Sequence, residues 1–106
     1  MNCVFCAKFE GIPEDTHVID FEPLNPVVPG HRLVVPRKHV SDFAEDPETT
    51  AEAMKYAASL AQKYPSFNII TSKGKEATQS VFHMHIHIIP RTEGDNLKLP
   101  WTDQEI

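Results

Sequence analysis

The stretch Val81-Phe82-His83-Met84-His85-Ile86-His87-Ile88-Ile89-Pro90 decides how this chain is read. Its histidines recur at two-residue spacing with Met84, Ile86 and Ile88 between or beside them, which is the alternation of a half-buried β-strand. The imidazoles of His83, His85 and His87 therefore share one face of the strand, and the other face is apolar enough to lie on a core. Pro90 ends the run, because proline has no N–H to give to a ladder.

A row of imidazoles opposite an apolar face has three readings. A solvated polar surface is the plainest, although an alternating strand with a core face on its other side is a poor place to build one. Imidazole is also a common transition-metal ligand, and alternate residues of a strand can supply two ligands or three. The third reading is covalent catalysis: a neutral imidazole, with an ordinary pKa of about 6.5, attacks an electrophile such as phosphorus while its neighbours bind the charged oxygens.

Size and charge narrow the choice. The 106 residues (12.0 kDa) make a single domain, 1–106, with one core and a high ratio of surface to volume, which oligomerisation would relieve. A formal charge of -5 argues against binding the phosphate backbone of long nucleic acid, so any phosphate handled belongs to a small molecule. No apolar run reaches membrane-spanning length and the first residues carry no signal-peptide pattern, so the expected setting is the cytoplasm, with no membrane partner.

Taken in order, Cys3-Val4-Phe5-Cys6 opens the chain with its only cysteines. They read either as a redox pair or as half of a zinc site completed from elsewhere, with His39 as a histidine that has no other evident task. A short helical turn over 4–9 closes at Gly11 and Pro13. Strands follow over 17–21 and 31–36, joined by Pro23-Leu24-Asn25-Pro26-Val27-Val28-Pro29-Gly30, a stiff connection suited to forming a wall. The strand over 31–36 turns His31, Leu33 and Val35 to one side and Arg32 and Val34 to the other. Asp46-Pro47-Glu48 has the form of a helix start, and the helix runs to about Lys63 before Pro65. Its stripe of small residues (Ala51, Met54, Ala58, Ala61, flanked by Ala53, Ala57 and Leu60) permits close packing on a sheet or on a second copy of the helix. A further strand covers 66–72, a polar loop covers 73–78, and the tail ends near Trp101, the only tryptophan, expected to pack on its own domain or a partner.

His83-Met84-His85-Ile86-His87-Ile88-Ile89, with the lead-in Gln79-Ser80-Val81-Phe82, resembles the signature of the histidine triad (HIT) family. The segment Asn25 to His39, containing Pro29-Gly30-His31 and Pro36-Arg37-Lys38-His39, is similar to that family's second marked segment. The resemblance implies an α+β fold of about five antiparallel strands with one main helix and a short N-terminal helix, and a homodimer. It implies cleavage of a nucleoside phosphoramidate or dinucleoside polyphosphate at the α-phosphate, through a nucleotidyl adduct on His85. His87 then contacts phosphate oxygens and assists the leaving group, His31 holds the triad rings in the right tautomer, and Ser80 lies near the scissile phosphate. Gln79 and Ser72 match positions near the phosphates, and Phe21 and Leu24 match apolar positions that sandwich the base. Cys3, Cys6, His39 and His83 match the ligands of a structural zinc found in some bacterial members; no organic cofactor is implied.

The chain departs from the family pattern at Pro23, where a carboxylate or amide that bonds the ribose is common, at Ser72, where Asn or Gln is common, and at Ala77-Thr78, where glycine is frequent. Two other functions are therefore carried beside the enzyme: a nucleotide-binding or interaction module with little turnover, and a metalloprotein in which the triad itself holds a metal.

Overall fold

A computed structural model describes residues 3–102. Its elements are α1 (Val4–Ala7), β1 (Val18–Phe21), β2 (Arg32–Pro36), α2 (Pro47–Ala61), β3 (Phe67–Ile70), a 3-10 turn (Lys75–Ala77) and β4 (Ile86–Pro90). The strands form one antiparallel sheet in the order β1-β2-β4-β3. The architecture is α+β as the sequence implies, with four strands among the described residues where about five were expected.

The four strands read along the sequence are all present, and the histidine stretch is only partly in the ladder. Pairing begins only at Ile86, so of the triad His87 alone sits in a regular strand. Upstream, other bonds hold the chain extended: Met84 N–H donates to Val40 O (2.7 Å), and the Thr71 hydroxyl donates to His85 O (2.7 Å). The alternation survives because these bonds substitute for a partner strand. Met84, Ile86 and Ile88 are fully buried against α2, while the histidines turn the other way.

Helix α2 covers one face of the sheet. Asp46 caps it, accepting from Glu48 N–H (3.2 Å) and the Thr49 hydroxyl (2.7 Å), with Pro47 in the first turn. Its buried stripe is Thr50, Ala53, Ala57 and Ala61. Ala51 and Ala58, expected in that stripe, are exposed instead. At 100° per residue the line through 50, 53, 57 and 61 excludes them, and the small side chains along it let the helix axis approach Val34, Ile86 and Ile88 closely.

The other face is covered lightly. Phe5 and Phe9, from α1 and just after it, pack with Leu33 and Val35 into a second, smaller cluster. This thin layer leaves the sheet open beside β4, and that opening is where the histidines face. Trp101, 54% exposed, lies with Leu99 and Pro100 over Phe43, Met54 and Ile69.

Candidate active site

Strand order sets the site. β4 is flanked by β2 and β3, and His87 stands level with Leu33 on one side and Ile70 on the other. These residues floor a cavity of about 500 Å³. Its β2 flank is built by Pro23, Asn25 and Val27 from the proline-rich connection, with His31 and Phe5; its β3 flank is built by Ser72, Thr78, Gln79 and Ser80. Gly30 lets the connection close tightly: its φ is +87°, and a Cβ there would come within 3.2 Å of Pro90.

The hydrogen bonds fix how each ring is protonated. Val27 N–H donates to His31 Nδ1 (3.1 Å), so the His31 proton is on Nε2, which donates to His87 Nδ1 (2.9 Å). His87 must then carry its own proton on Nε2. His85 Nδ1 lies 2.8 Å from His83 O, and a carbonyl only accepts, so that nitrogen is protonated and the lone pair of the neutral ring is on Nε2. The cavity is thus lined by one imidazole that, when neutral, has its lone pair on Nε2 and by one that has its proton there.

Burial keeps the supporting rings neutral. His87 is brought down to about 4, mostly by desolvation and further by the nearby His85 and His31. His31 is lowered by desolvation alone. Phe5 lies edge-on to His85, with ring centroids 5.0 Å apart. Phe5 was missed from the sequence, where it stands inside the Cys-x-x-Cys turn and reads as helix filler.

The remaining expected residues fall in different places. Ser80 and Ser72 line the cavity. Gln79 lines it too, yet its side chain is tied to the neighbouring loops: Oε1 accepts from Gly74 N–H (2.8 Å) and Nε2 donates to Ser41 O (2.7 Å) and Val81 O (3.1 Å). Phe21 and Leu24 are not among the lining residues described: Phe21 packs on Phe5 (5.7 Å between centroids), and Leu24 is 95% exposed. On the β2 flank, apolar lining comes instead from Pro23, Val27, Leu33 and Phe5.

Cys3, Cys6, His39 and His83 converge at the edge of this site, with one ligand atom from each lying within 4.8 Å of all the others. Cys3 caps α1, its sulfur accepting from Cys6 N–H (3.3 Å), which turns both thiols the same way. His83 Nε2 donates to Pro36 O (2.8 Å), leaving the Nδ1 lone pair directed at Cys3 Sγ (3.4 Å), Cys6 Sγ (3.5 Å) and His39 Nδ1 (3.1 Å). Zinc bound tetrahedrally by sulfur and nitrogen has ligand–ligand edges of about 3.3–3.8 Å. The three edges from His83 Nδ1 are close to these, and the set, two thiols and two imidazoles, has the donors of a closed tetrahedral site and could hold a metal ion. Without the ion, burial, and then Cys3, push the Cys6 thiol upward; a metal would reverse that.

A HIT domain model matches residues 9–94. The chain belongs to the histidine triad family. It is 40% identical over 105 residues to an uncharacterised HIT-like protein of Methanocaldococcus jannaschii, covering 88% of this chain and 81% of that protein. It is 33% identical over 118 residues to an adenylylsulfatase of Arabidopsis thaliana, covering 99% of this chain and 58% of that protein. Among solved structures it resembles a zinc-bound histidine triad family protein of Mycobacterium smegmatis (TM-score 0.76, 34% identity, covering 92% and 81% of the two chains). A HIT family hydrolase of Clostridium thermocellum superposes with a TM-score of 0.74 at 27% identity, covering 88% and 93%. This HIT chain thus has the fold of the family's hydrolases and nucleotide-binding proteins. No helix among its described residues is long and apolar enough to cross a membrane.

Proposed function

We propose that this HIT protein is a nucleotide hydrolase that cleaves a nucleoside phosphoramidate or dinucleoside polyphosphate at the α-phosphate through a nucleotidyl adduct on His85. The observation that carries the reading is the bond from His85 Nδ1–H to the His83 carbonyl, which leaves Nε2 with its lone pair inside the cavity. His85 Nε2 forms a bond to phosphorus as the bond to the leaving group breaks, and the leaving group takes up a proton. Water then attacks the adduct, releasing a nucleoside monophosphate and restoring the imidazole. His87, with its proton held on Nε2 by the His31 relay, donates to the phosphoryl oxygens or to the departing group, and phosphate charge beside it raises its affinity for a proton. Ser80 serves the same oxygens from the β3 flank. The adenylylsulfatase relative supports chemistry at a nucleoside α-phosphate.

Cys3, Cys6, His39 and His83 would hold a structural zinc. Such an ion supplies cross-linking free energy and no open coordination position, so it joins α1 to the sheet without taking part in the displacement. The thiol and imidazole donors, and the zinc-bound relative, support that assignment. The reading also carries a cytoplasmic location and a homodimer; for the homodimer the support is the position of β3 at the end of the sheet among the described residues and the exposure of its Phe67.

The test is intact-protein mass spectrometry after brief mixing with an adenosine phosphoramidate or a dinucleoside polyphosphate, quenched without acid because phosphohistidine is acid-labile. An added nucleoside monophosphate mass, absent from His85→Ala, is expected. Tight nucleotide binding with neither adduct nor turnover would instead identify a binding module.

A further inference from the structure

The cavity is lined by Pro23, Val27, Leu33 and Phe5, an apolar surface suited to a nucleoside that Asn25 and His31 interrupt, and by the hydroxyls of Ser72, Thr78 and Ser80 beside Ile70 and Val81. Thr78 is held abnormally, at φ 69° and ψ 21°. In this left-handed region a Cβ crowds the backbone, and for a β-branched residue the conformation is an outlier.

The turn around Thr78 is fixed on every side. Thr78 N–H donates to Lys75 O (3.0 Å), and Gln79 N–H donates to Gly74 O (3.0 Å). The buried Gln79 amide then bonds Gly74, Ser41 and Val81, so the loop cannot relax by moving as a unit. Local strain persists where the surroundings over-determine it, and it gathers at ligand sites. Thr78 is exposed and its hydroxyl has no hydrogen-bond partner among the described residues, so neither packing nor an internal bond accounts for a threonine here. What the position does offer is a hydroxyl at the cavity rim.

We propose that Thr78 is a specificity-determining residue whose hydroxyl hydrogen-bonds the group leaving phosphorus, and that it favours an uncharged amine. This rests on the nucleotidyl-transfer reading. A nucleoside held against Pro23, Val27 and Phe5, with its α-phosphate at His85 and His87, would direct the leaving group to the side where Ser72, Thr78 and Ser80 line the cavity. A hydroxyl can accept from the N–H of a phosphoramidate as well as donate. A polyphosphate brings several negative charges to a cavity whose described lining includes no lysine or arginine.

The experiment measures kcat/KM for an adenosine phosphoramidate of a primary alkylamine and for diadenosine triphosphate, with Tm, in wild type and in Thr78→Ser, Thr78→Val and Thr78→Gly. Wild type is expected to prefer the phosphoramidate. Thr78→Ser should retain that preference, while Thr78→Val and Thr78→Gly should lose about fivefold to tenfold on the phosphoramidate and less on the dinucleotide, the scale of one hydrogen bond. Thr78→Gly should also raise Tm by relieving the backbone. If both variants stay within about twofold of wild type on both substrates, or wild type prefers the triphosphate, the role given to Thr78 is overturned while the hydrolase reading stands. No adduct and no turnover in wild type would overturn both.

Discussion

Acid should destabilise this protein through His87, and the size of the effect follows from where the ring sits. Folded, His87 takes up a proton only near pH 4, because burial and two neighbouring imidazoles disfavour its charge. Unfolded, it does so at about 6.5. Between these values the unfolded chain binds more protons, so the contribution is fully present above about pH 6.5 and is lost as pH falls through 4. A fully sealed ring would account for ~3 kcal/mol; His87 lines an open cavity, and solvent screening brings the expected loss to ~1–2 kcal/mol. Urea unfolding of wild type and His87→Gln at about pH 7 and about pH 4.5 measures it. Glutamine can still accept from His31, so the variant removes the titration with little change in volume. Carboxylates titrate in both proteins and cancel in the difference. Wild type should lose ~1–2 kcal/mol more than His87→Gln on acidification. Equal losses in the two proteins would refute the neutral, buried state given to His87.

Two further outcomes concern the supports of the site. The full chain should bind one zinc ion, and Cys3→Ser/Cys6→Ser should bind none; chelation should lower Tm, since free metal at about 1,000 times its Kd contributes ~4 kcal/mol. A metal retained by the double variant, measured by atomic absorption, would place it on the triad. Ala53→Leu should destabilise by ~1–3 kcal/mol in thermal or urea unfolding, because Ala53 is fully buried where α2 meets the sheet. An unchanged Tm would mean that the helix does not pack as tightly as that burial requires.

Much of this was legible because alternation is a local signal. The faces of His83 to Ile88 follow from a period of two, and the start of α2 follows from Asp46-Pro47. What local pattern could not give is pairing: nothing in Val81 to His85 tells that Val40 and Thr71, far away in sequence, replace a partner strand there. The helix stripe was read too broadly because alanine fits a buried or an exposed position equally well, so Ala51 and Ala58 carried no phase. The four residues that could hold a metal could be named from the family likeness, whereas Phe5 could not be placed against His85, since its position depends on how α1 docks. Thr78 stood out in sequence only as a departure from glycine; its left-handed backbone explains why glycine is the easier residue there.

The Cys/His cluster and His85, the proposed nucleophile, are joined by backbone as well as by proximity. His83 gives its Nδ1 to the Cys3, Cys6 and His39 group, its Nε2–H to Pro36 O, and its carbonyl to His85 Nδ1–H. Fixing the His83 ring from both sides fixes the peptide that carries this carbonyl, and the carbonyl selects the His85 tautomer that can attack. Phe5 reaches the same ring from the turn between the cysteines. In a domain with so thin a layer on this face, the four residues that could hold a metal beside α1 are thereby also the ones that fix the orientation of the His85 ring. An irregular chain at His83 to His85 serves this better than a regular strand would. A ladder would commit the His85 carbonyl and amide to a neighbouring strand; here the carbonyl is held by the Thr71 hydroxyl, and β3 and the loop after it are left to shape the cavity wall.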